Sequence, residues 1–143
     1  MKTNNQVEVI IFKKEDNVYK FLMLKRISAK GGFWQPITGN VRIGELFKNA
    51  AIRETGEEIG VKEIIRVFDT GYSFDFFDDG REQHEKVFAL EVSPETEIHL
   101  SREHTEFVWA DKDQALNQYL KYPGNKKGLV ILCEMLDREV SIE

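Results

Sequence analysis

Apolar and polar residues alternate over two short segments near the start of the chain. Val7 to Phe12 and Val18 to Leu24 are rich in β-branched and aromatic residues, and Glu15-Asp16-Asn17 between them is a cluster of turn-forming residues. This pattern predicts a β-hairpin. Ile27 to Gly32 contains a Gly-Gly pair and predicts a loop. The residues that follow predict a short extended segment that ends at Gly39.

The hydrophobic pattern changes to a helical period between Glu45 and Ile59, and this segment predicts the clearest helix of the chain. Glu63 to Asp69 then predicts a strand. Tyr72 to Phe77 and Glu85 to Val92 flank Asp78-Asp79-Gly80, which is typical of a hairpin turn.

The last third of the chain predicts one more strand and one or two helices. Phe107 to Trp109 predicts a short strand, and Asp111 is a good N-cap for a helix that runs to Leu120. After a break at Pro123-Gly124, apolar residues recur at helical spacing, namely Leu129, Leu132, Cys133 and Leu136. A mixed sheet with one central helix and C-terminal helices places the fold in the α/β (α+β) class.

The Glu45–Ile59 helix places acids where apolar residues belong. On a helical wheel, its apolar stripe continues into three carboxylates, those of Glu54, Glu57 and Glu58. A run of charges is usually a solvated face, but here the solvated face lies elsewhere. Glu54 and Glu58 are about 6 Å apart along the axis and repel each other, which a divalent cation would offset. Oxygen-only ligands select Mg²⁺ or Mn²⁺, whose favoured partner is phosphate.

The residues around this helix agree with such a site. Gly39 marks a close approach of the backbone or a turn. Gly44 can act as the N-cap, which would place Glu45 in the first turn. Gly60 is the expected C-terminal glycine of the helix. Arg53 lies four residues before Glu57 and can orient that carboxylate.

Composition limits the class of protein. The chain has 143 residues, 41% hydrophobic and 31% charged, which predicts one soluble domain over residues 1–143. A net charge of −5 argues against a general nucleic-acid binder. The single cysteine excludes an internal disulfide, and no apolar run is long enough to cross a membrane. We therefore expect a cytoplasmic protein without a membrane or nucleic-acid partner, either a monomer or a homodimer.

Gly39, Glu45 and the run from Arg53 to Val61 resemble the Nudix box, whose pattern is G-x5-E-x7-R-E-U-x-E-E-x-G-U with U a bulky apolar residue. All seven fixed positions match, and Thr55 stands where an aliphatic residue is usual. The resemblance implies an α/β/α sandwich with a mixed sheet between helices. It also implies hydrolysis of a diphosphate linked to another group, with Mg²⁺ or Mn²⁺ as cofactor.

The resemblance assigns roles within the box. Glu54, Glu57 and Glu58 become metal ligands, and Gly39 would add its carbonyl. Glu54 can also serve as the general base, and Arg53 completes the catalytic set by orienting carboxylates. The structural residues of the box are Glu45 and Gly60.

Residues outside the box are similar to a bacterial branch of the family that acts on dihydroneopterin triphosphate or dATP. They are Leu22 to Arg26, Phe33 to Gln35 followed by Thr38-Gly39, and Glu103-His104 before Trp109. By this resemblance Arg26 and Thr38 contact the substrate and Glu103 is a further metal ligand. Trp34 and Tyr122 are candidates to hold a base or pterin.

Several functions fit these residues. The first is a Mg²⁺-dependent pyrophosphohydrolase acting on a nucleoside triphosphate or a pterin analogue. A dinucleoside polyphosphate, a nucleotide sugar or an oxidised nucleotide stays open, because the box contacts only the diphosphate. A non-catalytic nucleotide-binding Nudix module should lack box acids or carry an added domain. A structural domain with an acidic surface helix does not explain why the acids share the apolar side.

Overall fold

A mixed β-sheet lies between helices in the computed structural model, which describes residues 2–142 and the side chains of residues 3–139. The strands are β1 (Lys2–Glu15), β2 (Val18–Arg26), β3 (Trp34–Gln35), β4 (Ile37–Arg42), β5 (Arg66–Asp78), β6 (Arg81–Glu91) and β7 (His104–Ala110). The helices are α1 (Phe47–Ile59), α2 (Lys112–Gln114), which continues as a π-helical turn over Ala115–Tyr119, and α3 (Pro123–Ile142). Within the described residues, none of the helices is long and apolar enough to cross a membrane.

Strand β1 organises the sheet. Its last residues pair antiparallel with β2, whereas its first residues pair antiparallel with β4, so β2 and β4 follow one another along the same edge. The other edge of β1 pairs parallel with β6, and β6 pairs with β5. Strand β7 pairs with β2 and places His104 opposite Arg26. Strand β4 packs against α1, because Ile37 and Val41 share an apolar cluster with Ala50 and Ala51.

Two apolar layers, one on each face of the sheet, confirm the predicted α/β/α arrangement. The layer under α1 contains Val7, Val9, Ile11, Ala50, Ala51 and Ile59, among others. The layer under α3 contains Ile10, Phe12, Val87, Leu129, Leu132 and Leu136, among others. Because side chains of β1 alternate between these layers, the sheet is buried on both faces.

Most predicted elements are present, but several bounds differ. Strand β4 continues to Arg42 and does not end at Gly39. Strand β5 is one strand with an irregularity between Asp69 and Ser73, where Gly71 has a φ of 74°. The predicted break at Pro123-Gly124 is the first turn of α3, since proline tolerates the first helical position.

The predicted start of the box helix was wrong. Helix α1 begins at Phe47 with Leu46 at the N-cap, so Gly44 is not the cap and Glu45 is not in the first turn. The Glu45 carboxylate instead accepts from the Arg42 backbone N–H at 3.0 Å and from Arg53. The end of α1 is as predicted: Gly60 has a φ of 70°, and its N–H donates to the Gly56 carbonyl.

Candidate active site

Gly39 and Glu54 form the closest contact between the sheet and α1. Both lie on facing surfaces of β4 and α1, and a Cβ built at Gly39 would lie 2.1 Å from Glu54 Cδ. Only glycine leaves room for the carboxyl group at that point. The close approach predicted at Gly39 is therefore confirmed, and the side chain that approaches it is a box carboxylate.

Arg53 ties the acids of the box together. Its guanidinium donates to both oxygens of Glu45 at 2.9 and 3.0 Å, and to Glu54 Oε1 at 2.8 Å. It also donates to Glu57, as predicted, and to the Asn40 carbonyl at 2.8 Å. The hydrogen bond from Arg53 lowers the pKa of Glu45 to about 2. Burial, by contrast, raises the pKa of Glu54 above its usual value.

Glu58 is buried one helical turn after Glu54 and receives contacts from outside the box. Ser101 Oγ donates to Glu58 Oε2 at 2.9 Å, and His104 Nδ1 lies 3.0 Å from the same oxygen. The nearby Glu103 carboxyl group also lowers the pKa of Glu58. Burial raises the pKa of Glu58, but the contacts from His104 and Ser101 outweigh it, so the pKa lies below the usual value.

Glu57 does not face inward. Its side chain is 47% exposed, and it contacts Arg53 and Arg42 at the rim of the site. The prediction that all three carboxylates continue the buried stripe was therefore wrong for Glu57, which lies at the margin of the wheel. Glu103 is half-exposed and pairs with Lys30.

The residues of this cluster suit a divalent cation. Five carboxylates, those of Glu45, Glu54, Glu57, Glu58 and Glu103, meet three cationic side chains, those of Lys30, Arg42 and Arg53. The donors are oxygens, which hard cations prefer. Among the described side chains, no three acidic, histidine or cysteine groups converge into a ready-made metal site. Mg²⁺ keeps several waters and fits a site with few protein ligands.

Arg26 lies beside the cluster at the end of β2. It pairs with His104 across the strands, and its guanidinium lies 5.6 Å from the Phe33 ring centroid. Thr38 lies on β4 next to Gly39, and its hydroxyl accepts from Gln35 Nε2 at 3.3 Å. Both candidate substrate residues are half-buried, so part of each faces solvent.

The two aromatic candidates lie at β3 and directly before α3. Trp34 packs edge-on against Tyr119 with ring centroids 5.1 Å apart, next to the apolar layer under α3. Tyr122 is exposed and contacts Phe33 at 5.4 Å. Arg26 and Tyr122 therefore flank the same ring, that of Phe33, whereas Trp34 is in part a packing residue.

Sequence reasoning missed the roles of Ser101 and His104. The sequence predicts β7 only over Phe107 to Trp109, but His104 begins this strand and is buried against Glu58. Ser101 received no role. Both contact a residue more than 40 positions away in the chain, so local periodicity carries no signal for either contact.

Two proteins and a solved structure resemble this chain over most of its length. It is 32% identical over 114 residues to an octanoyltransferase from Myxococcus xanthus, covering 78% of this chain but only 32% of that protein. It is 32% identical over 128 residues to dihydroneopterin triphosphate diphosphatase from Haemophilus influenzae, covering 80% of this chain and 78% of that protein. A C. elegans Ap4A hydrolase in a binary complex shares the fold, with a TM-score of 0.82 at 23% identity over 93% of this chain and 97% of that chain.

The family follows from the extent of the match. Residues 3–130 match the model described as the NUDIX domain, and this range contains Gly39, the whole of α1 and Glu103. The box and its surroundings are therefore matched together with the sheet that positions them. The chain belongs to the Nudix family.

Proposed function

We propose that this protein is a Mg²⁺- or Mn²⁺-dependent pyrophosphohydrolase that cleaves the diphosphate linkage of a small phosphorylated substrate. A nucleoside triphosphate or dihydroneopterin triphosphate is the first candidate substrate, supported by the relative from Haemophilus influenzae. The observation that carries the proposal is the pair of buried carboxylates, Glu54 and Glu58, which accept hydrogen bonds from Arg53 and Ser101.

The box acids are proposed to hold the cation. Glu54 and Glu58 would be its main protein ligands, with Glu57, Glu103 and the Gly39 carbonyl as further ones. When bound, such a cation neutralises phosphate oxygens and lowers the pKa of a coordinated water. Arg53 holds Glu54 Oε1 and Glu45 in place, so the ligand geometry is set before substrate arrives.

The reaction is attack of water on a phosphorus atom of the diphosphate. The P–O bond to the bridging oxygen breaks, and the proton of the attacking water passes to a base. Glu54 is the proposed base, because its burial raises the pKa of the carboxyl group and makes it a better proton acceptor.

Other residues are proposed to bind the substrate. Arg26 has no carboxylate partner among the described ion pairs, so its guanidinium is available to contact phosphate oxygens. Thr38 would contact the substrate next to Gly39. Tyr122 and Trp34 would pack against the base or pterin.

The test is a substrate panel in which phosphate and pyrophosphate are measured separately. It contains dihydroneopterin triphosphate, dATP, other nucleoside triphosphates, a dinucleoside tetraphosphate and a nucleotide sugar, each with saturating Mg²⁺ and Mn²⁺. We expect pyrophosphate from a triphosphate substrate, and no product from Glu54→Gln. Turnover of none of these compounds would contradict the proposal. Ligand-induced thermal stabilisation without turnover would favour a nucleotide-binding module.

A further inference from the structure

The end of α1 is joined to the segment that precedes β7. The His99 N–H donates to the Ile59 carbonyl at 2.9 Å, and the Ser101 N–H donates to the Glu58 carbonyl at 3.0 Å. The last carbonyls of a helix have no partner within the helix, and here this segment supplies the donors. These backbone hydrogen bonds therefore fix the segment that leads to Glu103 against the end of α1, where Glu58 lies.

The same segment also contacts the Glu58 side chain. Ser101 Oγ donates to Oε2, and His104 Nδ1 lies 3.0 Å from that oxygen. The His104 side chain is only 4% exposed. Its Nδ1 makes no aligned hydrogen bond among the described residues. The Glu58 oxygen is therefore the group that compensates for the burial of this nitrogen.

These contacts give the two carboxylate oxygens of Glu58 different surroundings. Oε2 accepts a hydrogen bond from the Ser101 hydroxyl and lies 3.0 Å from His104 Nδ1, whereas no described N–H or hydroxyl group donates to Oε1. A glutamate side chain that is already held loses less rotational freedom when a ligand binds it. Glu54 is held in a different way, by Arg53 on its own helix.

We propose that Ser101 and His104 are positioning residues that hold Glu58 by Oε2 and present Oε1 to the cation. The inference rests on the proposed function, because it assumes that Glu58 binds a cation. It predicts that loss of the Ser101 hydroxyl or of the His104 imidazole weakens cation binding and lowers kcat, while the KM for substrate stays unchanged. Groups that orient metal ligands typically contribute 10- to 100-fold to metal affinity.

The test measures Mn²⁺ binding to the whole protein without substrate, by the electron paramagnetic resonance signal of free Mn²⁺. The variants are Ser101→Ala, His104→Leu and His104→Asn. Leucine keeps bulk but has no N–H, whereas the asparagine amide nitrogen occupies a position close to Nδ1. We expect about a tenfold rise in the Mn²⁺ Kd for Ser101→Ala and His104→Leu, with most of the affinity recovered in His104→Asn. His99→Asn, on the same segment but exposed, is the matched control and should bind like the wild type.

Several outcomes decide the inference. A Mn²⁺ Kd for Ser101→Ala and a folded His104→Leu equal to that of the wild type overturns it and leaves the proposed function standing. If His104→Leu does not fold, Ser101→Ala decides, because it removes a single oxygen. A folded His104→Asn that binds as weakly as His104→Leu also overturns the inference. A wild-type protein that binds no Mn²⁺ overturns the inference and the proposed function together.

Discussion

Gly39→Ala tests the contact between the sheet and the box helix. The added methyl group would lie 2.1 Å from Glu54 Cδ, 2.4 Å from Cγ and 2.5 Å from Oε1. Ordinary van der Waals contact begins at 3.4 Å, so these three distances must increase by about 1 Å. Because β4 is paired with β1 at Gly39 and Val7, the flexible carboxylate end of Glu54 moves and the strand stays.

A displacement of this size has a large effect on catalysis and a small one on folding. Misplacing a catalytic group by about 1 Å costs roughly 100-fold in rate, which corresponds to about 2.7 kcal/mol in the barrier. Gly39 does not have a positive φ, so alanine fits the backbone there. We expect kcat/KM to fall about 100-fold while the melting temperature changes by only a few degrees.

The assay compares kcat/KM for Gly39→Ala, Glu54→Gln and the double variant, with circular dichroism melting of each. If Gly39 acts through Glu54, the double variant should be no slower than Glu54→Gln alone. Gly56→Ala is the matched control, because a Cβ there meets only the Val61 carbonyl at 3.8 Å; it should keep wild-type activity. A folded Gly39→Ala within threefold of the wild type would refute the reasoning.

Three further predictions concern cation, pH and phosphate. At 100 times its Kd, Mg²⁺ should raise the wild-type melting temperature by about 5–10 °C and that of Glu54→Gln by less. Burial raises the pKa of Glu85 from its ordinary value of 4.5 to about 7. Between these pH values the folded state binds more protons than the unfolded state, so stability falls as the pH rises through them. Glu85→Gln should therefore melt about 10 °C above the wild type at pH 8 and at the same temperature at pH 4. Arg26→Ala should lower kcat/KM roughly 10- to 150-fold for three nucleoside triphosphates alike, and Arg26→Lys should recover part of the loss.

Each of these predictions can fail separately. A melting temperature that does not respond to Mg²⁺ or Mn²⁺ in scanning calorimetry would contradict the cation site. A Glu85→Gln variant whose advantage is as large at pH 4 as at pH 8 would show that packing, and not ionisation, is responsible. A loss in Arg26→Ala confined to one nucleoside triphosphate in steady-state kinetics would mean that Arg26 contacts the base.

Helix α1 shows what local sequence predicts well. Its apolar stripe and two of its acids repeat at helical spacing, and the structure buries Ala50, Ala51, Glu54 and Glu58 together. A helical wheel gives the direction of a side chain around the helix axis, however, and not its depth of burial. Glu57 lies at the margin of the stripe, where the depth of the facing layer decides burial, and it is exposed.

Glu45 shows why the start of α1 was predicted wrongly. An acid after Gly44 fits the first turn of a helix, where the dipole favours negative charge. In the structure its carboxylate receives two N–H groups of Arg53, eight positions on, and one from the Arg42 backbone. Charge-assisted hydrogen bonds of this kind are stronger than the interaction with the dipole at an exposed helix end, so the helix begins later.

The two buried carboxylates of the site are held by contacts of different range. Glu54 is held by Arg53, its neighbour in the chain, and by the space at Gly39, fifteen positions away, so its environment lies within the box. Glu58 is held by Ser101 and His104, which reach it only because β7 pairs with β2 and the preceding segment pairs with the end of α1. The box pattern therefore includes the residues that hold Glu54 but not those that hold Glu58. It follows that changes in residues 98–104 can alter cation affinity in chains whose boxes are identical, and that transplanting the box alone into another sheet would leave Glu58 without its donors.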